Sequence, residues 1–194
     1  RLAAEGMIFS DCHSTSAVCT PSRYSLMTGR YCWRTWLKRG VLHGYSPPLI
    51  EPGRMTLASL LRQAGYRTAC VGKWHLGLGW PTEDGVPLER EGHRDPGIDF
   101  ERTLSSGPHT LGFAESFIIP ASLDMDPYCF IENGRVVDRL TRRVERRERP
   151  VFYRGGLAGE GFEHETCLLE LTRRAEAFID SAARGEQPFF LYFP

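Results

Sequence analysis

No stretch of this chain approaches the roughly 20 consecutive apolar residues that a membrane-crossing helix needs. Net charge is missing too: 24 basic residues balance 24 acidic ones, so nothing electrostatic points to nucleic acid or a membrane surface as partner. Cysteine is present but never as a C-x-x-C pair, which removes the usual spacing of a zinc site or a redox dithiol. The chain also lacks an internal repeat or a low-complexity tract that would divide it into modules. It starts at Arg1 with neither an initiating methionine nor a signal peptide. Both ends read as the interior of elements, so a fragment of a longer protein is expected.

What is present is the composition of a globular protein, 41% apolar and 25% charged over 194 residues, enough for one ordinary core. Leu2, Ala3 and Ala4 read as the end of a helix, Gly6 as its cap, and Met7, Ile8 and Phe9 as a short strand. Thr56 can cap a helix whose Leu57, Leu60, Leu61 and Ala64 recur at one face, with Gly65 ending it. A strand over 66–71 follows directly. A second helix is predicted over 165–183, with Leu168, Leu171, Ala175 and Phe178 as its apolar face, before an apolar strand over 189–193. Helix leading into buried strand, twice, predicts an α/β fold with a mainly parallel sheet flanked by helices. Residues 80–150 are rich in glycine, proline and charge, and read as long excursions from that sheet.

The most informative residue is Cys19, which opens the run Cys19-Thr20-Pro21-Ser22-Arg23 and continues through Leu26 to Thr28-Gly29-Arg30. Pro21 suits a first helical turn, Thr20 can cap it, and Gly29 supplies a stop. A nucleophile at a helix N-terminus sits where unpaired N–H groups and the helix dipole favour negative charge, and Arg23 projects along the same face one turn on. Lys73 and His75 come just after the 66–71 strand. Open α/β sheets place their ligand sites beyond the carboxyl ends of strands, and residues two apart in an extended segment share a side.

C-x-P-S-R followed by L-x-T-G-R resembles the first signature of the formylglycine-dependent sulfatases. The run from Gly65 to Gly77, G-Y-R-T-A-C-V-G-K-W-H-L-G, resembles the second, at the family's usual short distance downstream. The resemblance implies an alkaline-phosphatase-like sulfatase fold, of which residues 1–194 would be a partial catalytic domain truncated at both ends. It implies that Cys19 is oxidised by a dedicated maturation enzyme to formylglycine, whose hydrate attacks sulfur with one hydroxyl and releases sulfate by deprotonating the other. By the same resemblance Lys73 would bridge sulfate and formylglycine, and His75 would hydrogen-bond the hydrate. Arg23 would offset negative charge. The modified Cys19 would ligate a divalent metal, usually Ca2+, whose other ligands lie outside this chain. The substrate implied is a sulfate ester of an aryl group or a sulfated sugar, and family analogy suggests a periplasmic or secreted protein. A phosphonate or phosphate monoester hydrolase of the same superfamily, and a non-catalytic homologue that binds sulfated glycans, remain alternatives.

Other features point less sharply. Residues 139–149 carry six arginines with Glu145 and Glu148 interspersed; a solvated face or hairpin is the expected reading, a grip on a sulfated glycan the rival. His93, His109 and His164 lack ligand spacing and read as surface or structural. Trp33, Trp36 and Trp74 could line a sugar or aryl site, with core packing the equal alternative for the first two. Cys12, Cys32, Cys70, Cys129 and Cys167 define no disulfide framework. The run from Ser122 to Asn133 resembles a segment common in bacterial arylsulfatase-like enzymes, with Asp126 where proline is usual.

Overall fold

Thr68 to Gly72 carry small or β-branched side chains that fit between neighbours on both faces and both edges, and they form the middle of the central strand. The computed structural model describes residues 1–86, 88 and 97–194. Strand β1 (Arg67–Lys73) runs parallel to β2 (Glu115–Ile119) on one side and to the last strand, Phe189–Tyr192, on the other. Two short antiparallel strands, β3 (Ile131–Glu132) and β4 (Arg135–Val136), extend the β2 edge. A separate hairpin pairs β5 (Arg142–Val144) with β6 (Gly156–Ala158). With Phe189–Tyr192 numbered β7, the main sheet has the order β4-β3-β2-β1-β7, mixed but mainly parallel.

Alternation along β1 divides the core. Cys70 joins Tyr24, Trp74, Phe113 and Ile118 on one face, where α2 (Cys19–Thr28) and α3 (Leu57–Gln63) lie. Ala69 and Val71 point to the other, which α4 (His164–Ala182) covers with Cys167, Leu171, Ala175, Phe178 and Ala182. A short helix α1 (Leu2–Glu5) precedes them. No helix among the described residues is long and apolar enough to cross a membrane.

Four local expectations change. Residues 7–9 form no strand and stand exposed. On α4, Leu168 is 68% exposed and Cys167 takes its place, because a stripe through Leu171 and Ala175 can begin either three or four residues earlier. Helix α3 docks by its N-terminal end rather than by a leucine face: Thr56 accepts from the Ser59 N–H and donates to the Leu111 carbonyl, while Leu60 stays exposed. Gly112 permits this. Its φ is +102°, and a Cβ there would stand 2.3 Å from the Ser59 nitrogen. Finally, the 80–150 excursion contains β2, a core strand of only five residues whose pattern is too short to separate from its surroundings. His93 lies outside the described residues.

The hairpin reading of the arginine-rich stretch holds, with a further bridge between Arg147 and Tyr153. Three of its six arginines are paired with carboxylates: Arg146 with Glu148, Arg142 with Glu163, and Arg139 with Glu101. His109 donates through Nε2–H to the Leu104 carbonyl and packs on Gly134, and the His164 ring sits against Tyr128 and Tyr153, both structural placements.

Candidate active site

Helix α2 begins at Cys19, one residue before the expected cap. Its N-cap is Val18, and no side chain caps it, so the first-turn amides keep their donors free of such a partner. Thr20 is instead buried within the helix, where its hydroxyl donates to the His75 carbonyl (3.1 Å) and accepts from the Leu42 N–H (3.2 Å). The residue expected to close the helix end therefore ties it to the carboxyl end of β1 and to a returning loop. Gly29 ends α2 as expected, with φ +66° and its N–H on the Ser25 carbonyl.

Arg23 reaches across from α2 to β1. Its guanidinium donates to the Lys73 carbonyl (2.6 Å) and to the Tyr192 hydroxyl (3.4 Å), and its buried Nε has no protein partner. No carboxylate answers it among the described residues, so its charge is available to an anion rather than spent on a structural ion pair. Lys73 closes β1, half-buried, with Nζ donating to the Ser122 hydroxyl at 2.5 Å. Burial, reinforced by Arg23, holds the Lys73 ammonium below the usual lysine range, while Cys19 and Asp124 nearby oppose that shift. Just before it, Gly72 has φ +130°, and a Cβ there would lie 2.6 Å from the Pro194 carbonyl oxygen.

His75 is fully buried and sits at φ +56°, a left-handed conformation that costs a non-glycine residue about 1 kcal/mol or more. The chain is thus not extended from Lys73 to His75, and the two-residue alternation does not explain their proximity. Three hydrogen bonds hold the histidine instead: Nε2–H to the Leu42 carbonyl, the backbone N–H to Pro120, and its carbonyl from Thr20. With Nε2 donating, Nδ1 carries the lone pair, and it has no protein partner. Burial, together with the Lys73 and Arg23 charges, pushes His75 down to about 4, so the ring is neutral at neutral pH.

Cys19 is partly buried and borders a cleft of about 740 Å³ that Arg23, Tyr192 and Pro194 also line. Cys12, exposed, lines the same cleft, whereas Cys32, Cys70, Cys129 and Cys167 are buried. Burial pushes the Cys70 and Cys129 thiols well up and the Cys167 thiol up to about 11, which leaves them protonated and inert. All six are free thiols. Trp74 belongs to the core, 1% exposed and edge-on to Phe113 with its N–H on the Gly77 carbonyl; Trp36 packs against the same core.

Two contributors were missed in the sequence. Ser122 has no motif spacing to Lys73, and only the loop after β2 brings its hydroxyl there. Behind it, the Met125 N–H bonds to the Ser122 carbonyl to form a turn, and Arg154 fastens that turn by donating to the Asp124 backbone carbonyl and carboxylate. For calcium the described residues offer less. The ion takes six to eight oxygens, and no group of three or more His, Cys, Asp and Glu side chains is gathered among them. Cys19 after conversion would be a single ligand, which does not amount to a calcium site.

The arrangement is a cation-lined corner around a thiol: first-turn amides, a guanidinium, an ammonium and a neutral imidazole with one unclaimed nitrogen. It suits an anion whose oxygens gain charge during bond cleavage. Over the full chain, residue 1 to residue 194, the sequence matches the profile described as Sulfatase. It is 40% identical to an N-acetylgalactosamine-6-O-sulfatase of Bacteroides thetaiotaomicron, over 99% of this chain and 41% of that protein. Arylsulfatase G of Rattus norvegicus is 47% identical over 99% of this chain and 34% of its own length. A solved structure concerned with metabolism of multiple glycosaminoglycans by Bacteroides thetaiotaomicron superposes with a TM-score of 0.71 and 31% identity, covering 92% of this chain and 41% of that one. The chain therefore spans less than half the length of these relatives, and it belongs to the sulfatase family.

Proposed function

We propose that residues 1–194 are part of the catalytic domain of a longer sulfatase, one that hydrolyses a sulfate monoester of a sugar after Cys19 has been converted to formylglycine. The observation that supports this best is the convergence of Cys19 and Arg23 with Lys73 and His75 across 50 residues of sequence, locked by the 2.6 Å bond from Arg23 to the Lys73 carbonyl. When present, a formylglycine hydrate supplies two hydroxyls on one carbon, one to attack sulfur and one to release sulfate.

The chain's own residues have distinct tasks. Lys73 and Arg23 counter the negative charge that grows on the sulfate oxygens and the leaving group, which stabilises the transition state more than the bound ester. Ser122 fixes the Lys73 ammonium. His75, neutral and held through Nε2, accepts a proton at Nδ1 from a hydroxyl brought beside it. The sugar preference rests on the 40% identity to the N-acetylgalactosamine-6-O-sulfatase.

The test is turnover by the full-length protein, co-expressed with a formylglycine-generating enzyme, on an aryl sulfate, an aryl phosphonate and a 6-sulfated N-acetylhexosamine. Sulfate hydrolysis well above phosphonate hydrolysis supports the proposal. Faster phosphonate cleavage assigns the protein to the related hydrolases, and no turnover from a protein shown to carry formylglycine contradicts catalysis.

A further inference from the structure

Beside the Cys19 cleft lies a second hollow, of about 200 Å³, and the two share Thr15, Ser16, Val18 and Ser25 in their walls. Its far wall is formed by Tyr31, Trp33, Lys38 and Arg39. The Tyr31 and Trp33 rings are stacked, with centroids 5.7 Å apart and planes 19° from parallel. They are nevertheless 52% and 60% exposed. Two large aromatic rings left in water beside a cleft mark an interaction surface, whereas single exposed apolar residues do not.

The pair is held in place. Cys32, between them in sequence, is buried and packs in the core, and the Cys32–Arg34 turn is closed by bonds from Arg34 N–H to Tyr31 and from the Thr35 hydroxyl to Cys32. Lys38 Nζ donates to the Trp33 carbonyl at 3.0 Å, which sets a cation at the rim. Arg39 is exposed and makes no ion pair with the described residues.

We infer that this hollow is a subsite for a second sugar ring, one that carries an anionic group and is linked to the residue whose sulfate meets Cys19. The inference rests on the sulfatase reading above and extends it from a monosaccharide ester to an anionic oligosaccharide. The apolar face of a pyranose lies against the open face of Trp33, and Lys38 and Arg39 take its sulfate or carboxylate by charge-assisted hydrogen bonds. A volume below the roughly 300–1,000 Å³ of drug-sized sites suits one ring. Shared walls with the cleft make the occupant a continuation of the substrate, and the two cations select an anionic one.

The test uses the full-length, formylglycine-bearing protein and its Trp33→Ala and Arg39→Ala variants, none of which touches the Cys19 corner. On a small aryl sulfate, kcat/KM is expected to stay within about twofold for both; on a sulfated oligosaccharide, KM is expected to rise about tenfold with kcat unchanged, the pattern of lost uniform binding. Equal KM for variant and parent on the oligosaccharide overturns the subsite. Because a failure of the sulfatase reading would also silence turnover, binding is measured separately with Cys19→Ala protein and a sulfated oligosaccharide. A Kd about tenfold weaker on adding Trp33→Ala, restored by Trp33→Phe, supports the subsite even without catalysis. An unchanged Kd, as expected if another part of the parent protein covers Trp33, overturns it.

Discussion

Helix α2 and the end of β1 bring charge to the site, while the loop after β2 and the hairpin β5–β6 bring order to it. In the first region every group that can meet an anion stands within a short local run: Cys19 and Arg23 one helical turn apart, Lys73 and His75 two residues apart. In the second, Ser122 and Arg154 are 32 residues apart and act through neighbours: one orients Lys73, and the other fastens the turn that carries Ser122 by pairing with Asp124. The difference teaches that chemistry here is encoded locally and its geometry is encoded at long range. Substitutions in the two regions are therefore expected to differ in size and in kind.

The largest effect is expected for Cys19→Ala, which on the proposed mechanism removes the precursor of the nucleophile. Turnover of an aryl sulfate by the full-length protein is expected to fall by about four orders of magnitude or more. The residue is partly exposed, so thermal stability should move by no more than about 0.5 kcal/mol. Cys19→Ser should differ from both, since a lone hydroxyl can attack but has no second hydroxyl to release sulfate; steady turnover by mature Cys19→Ser protein would contradict the mechanism. Next comes Lys73→Ala, expected to lower kcat/KM by roughly 10²–10³, the usual size for a group aimed at transition-state charge.

Ser122→Ala and Arg154→Ala sharpen the comparison, because they act through a neighbour. Each is expected to lower kcat/KM by at most about a hundredfold, the scale of a displaced catalytic group. Adding Ser122→Ala to Lys73→Ala should cost almost nothing further, since the serine's partner is already gone. Full additivity would break the claim that Ser122 works by holding Lys73. Both variants need a circular-dichroism check, because Arg154 is also anchored by the Tyr128 hydroxyl.

A smaller effect concerns pH. Folding lowers His75 to about 4 from its ordinary 6.5, so between those values the unfolded chain binds a proton that the folded protein does not. Stability from this source is fully present above about pH 6.5 and declines as pH falls toward 4. Burial lowers His164 as well and adds in the same direction. The thermal midpoint is therefore expected to drop across this window, and His75→Gln should make the drop shallower without abolishing it; an unchanged slope would mean that His75 is not held neutral.

Much of the charged corner was legible because the residue types come in two runs whose order and spacing match one chemistry. The α/β fold was legible from helix–strand succession around β1 and β7. Illegible features share a cause. Ser122, Arg154 and the β2 strand acquire their roles from partners dozens of residues away, and no local pattern records that. Thr20 could be read as a cap from its type alone, but its burial against His75 and Leu42 decided otherwise. Trp33 and Trp74 are the same residue type in similar apolar surroundings of sequence, yet one lies in the core and the other on a rim, a distinction made only by packing.

The most direct measurement is mass spectrometry of the Cys19 peptide from full-length protein isolated after co-expression with a maturation enzyme, with a carbonyl-reactive label applied in parallel. Conversion of the thiol to an aldehyde lowers the mass by about 18 Da, and hydration restores most of it, so the label distinguishes the hydrate from the unreacted cysteine. Labelled aldehyde at Cys19 is the predicted result. An unmodified thiol at Cys19, from a host that matures a control sulfatase, would contradict the catalytic role proposed for this corner.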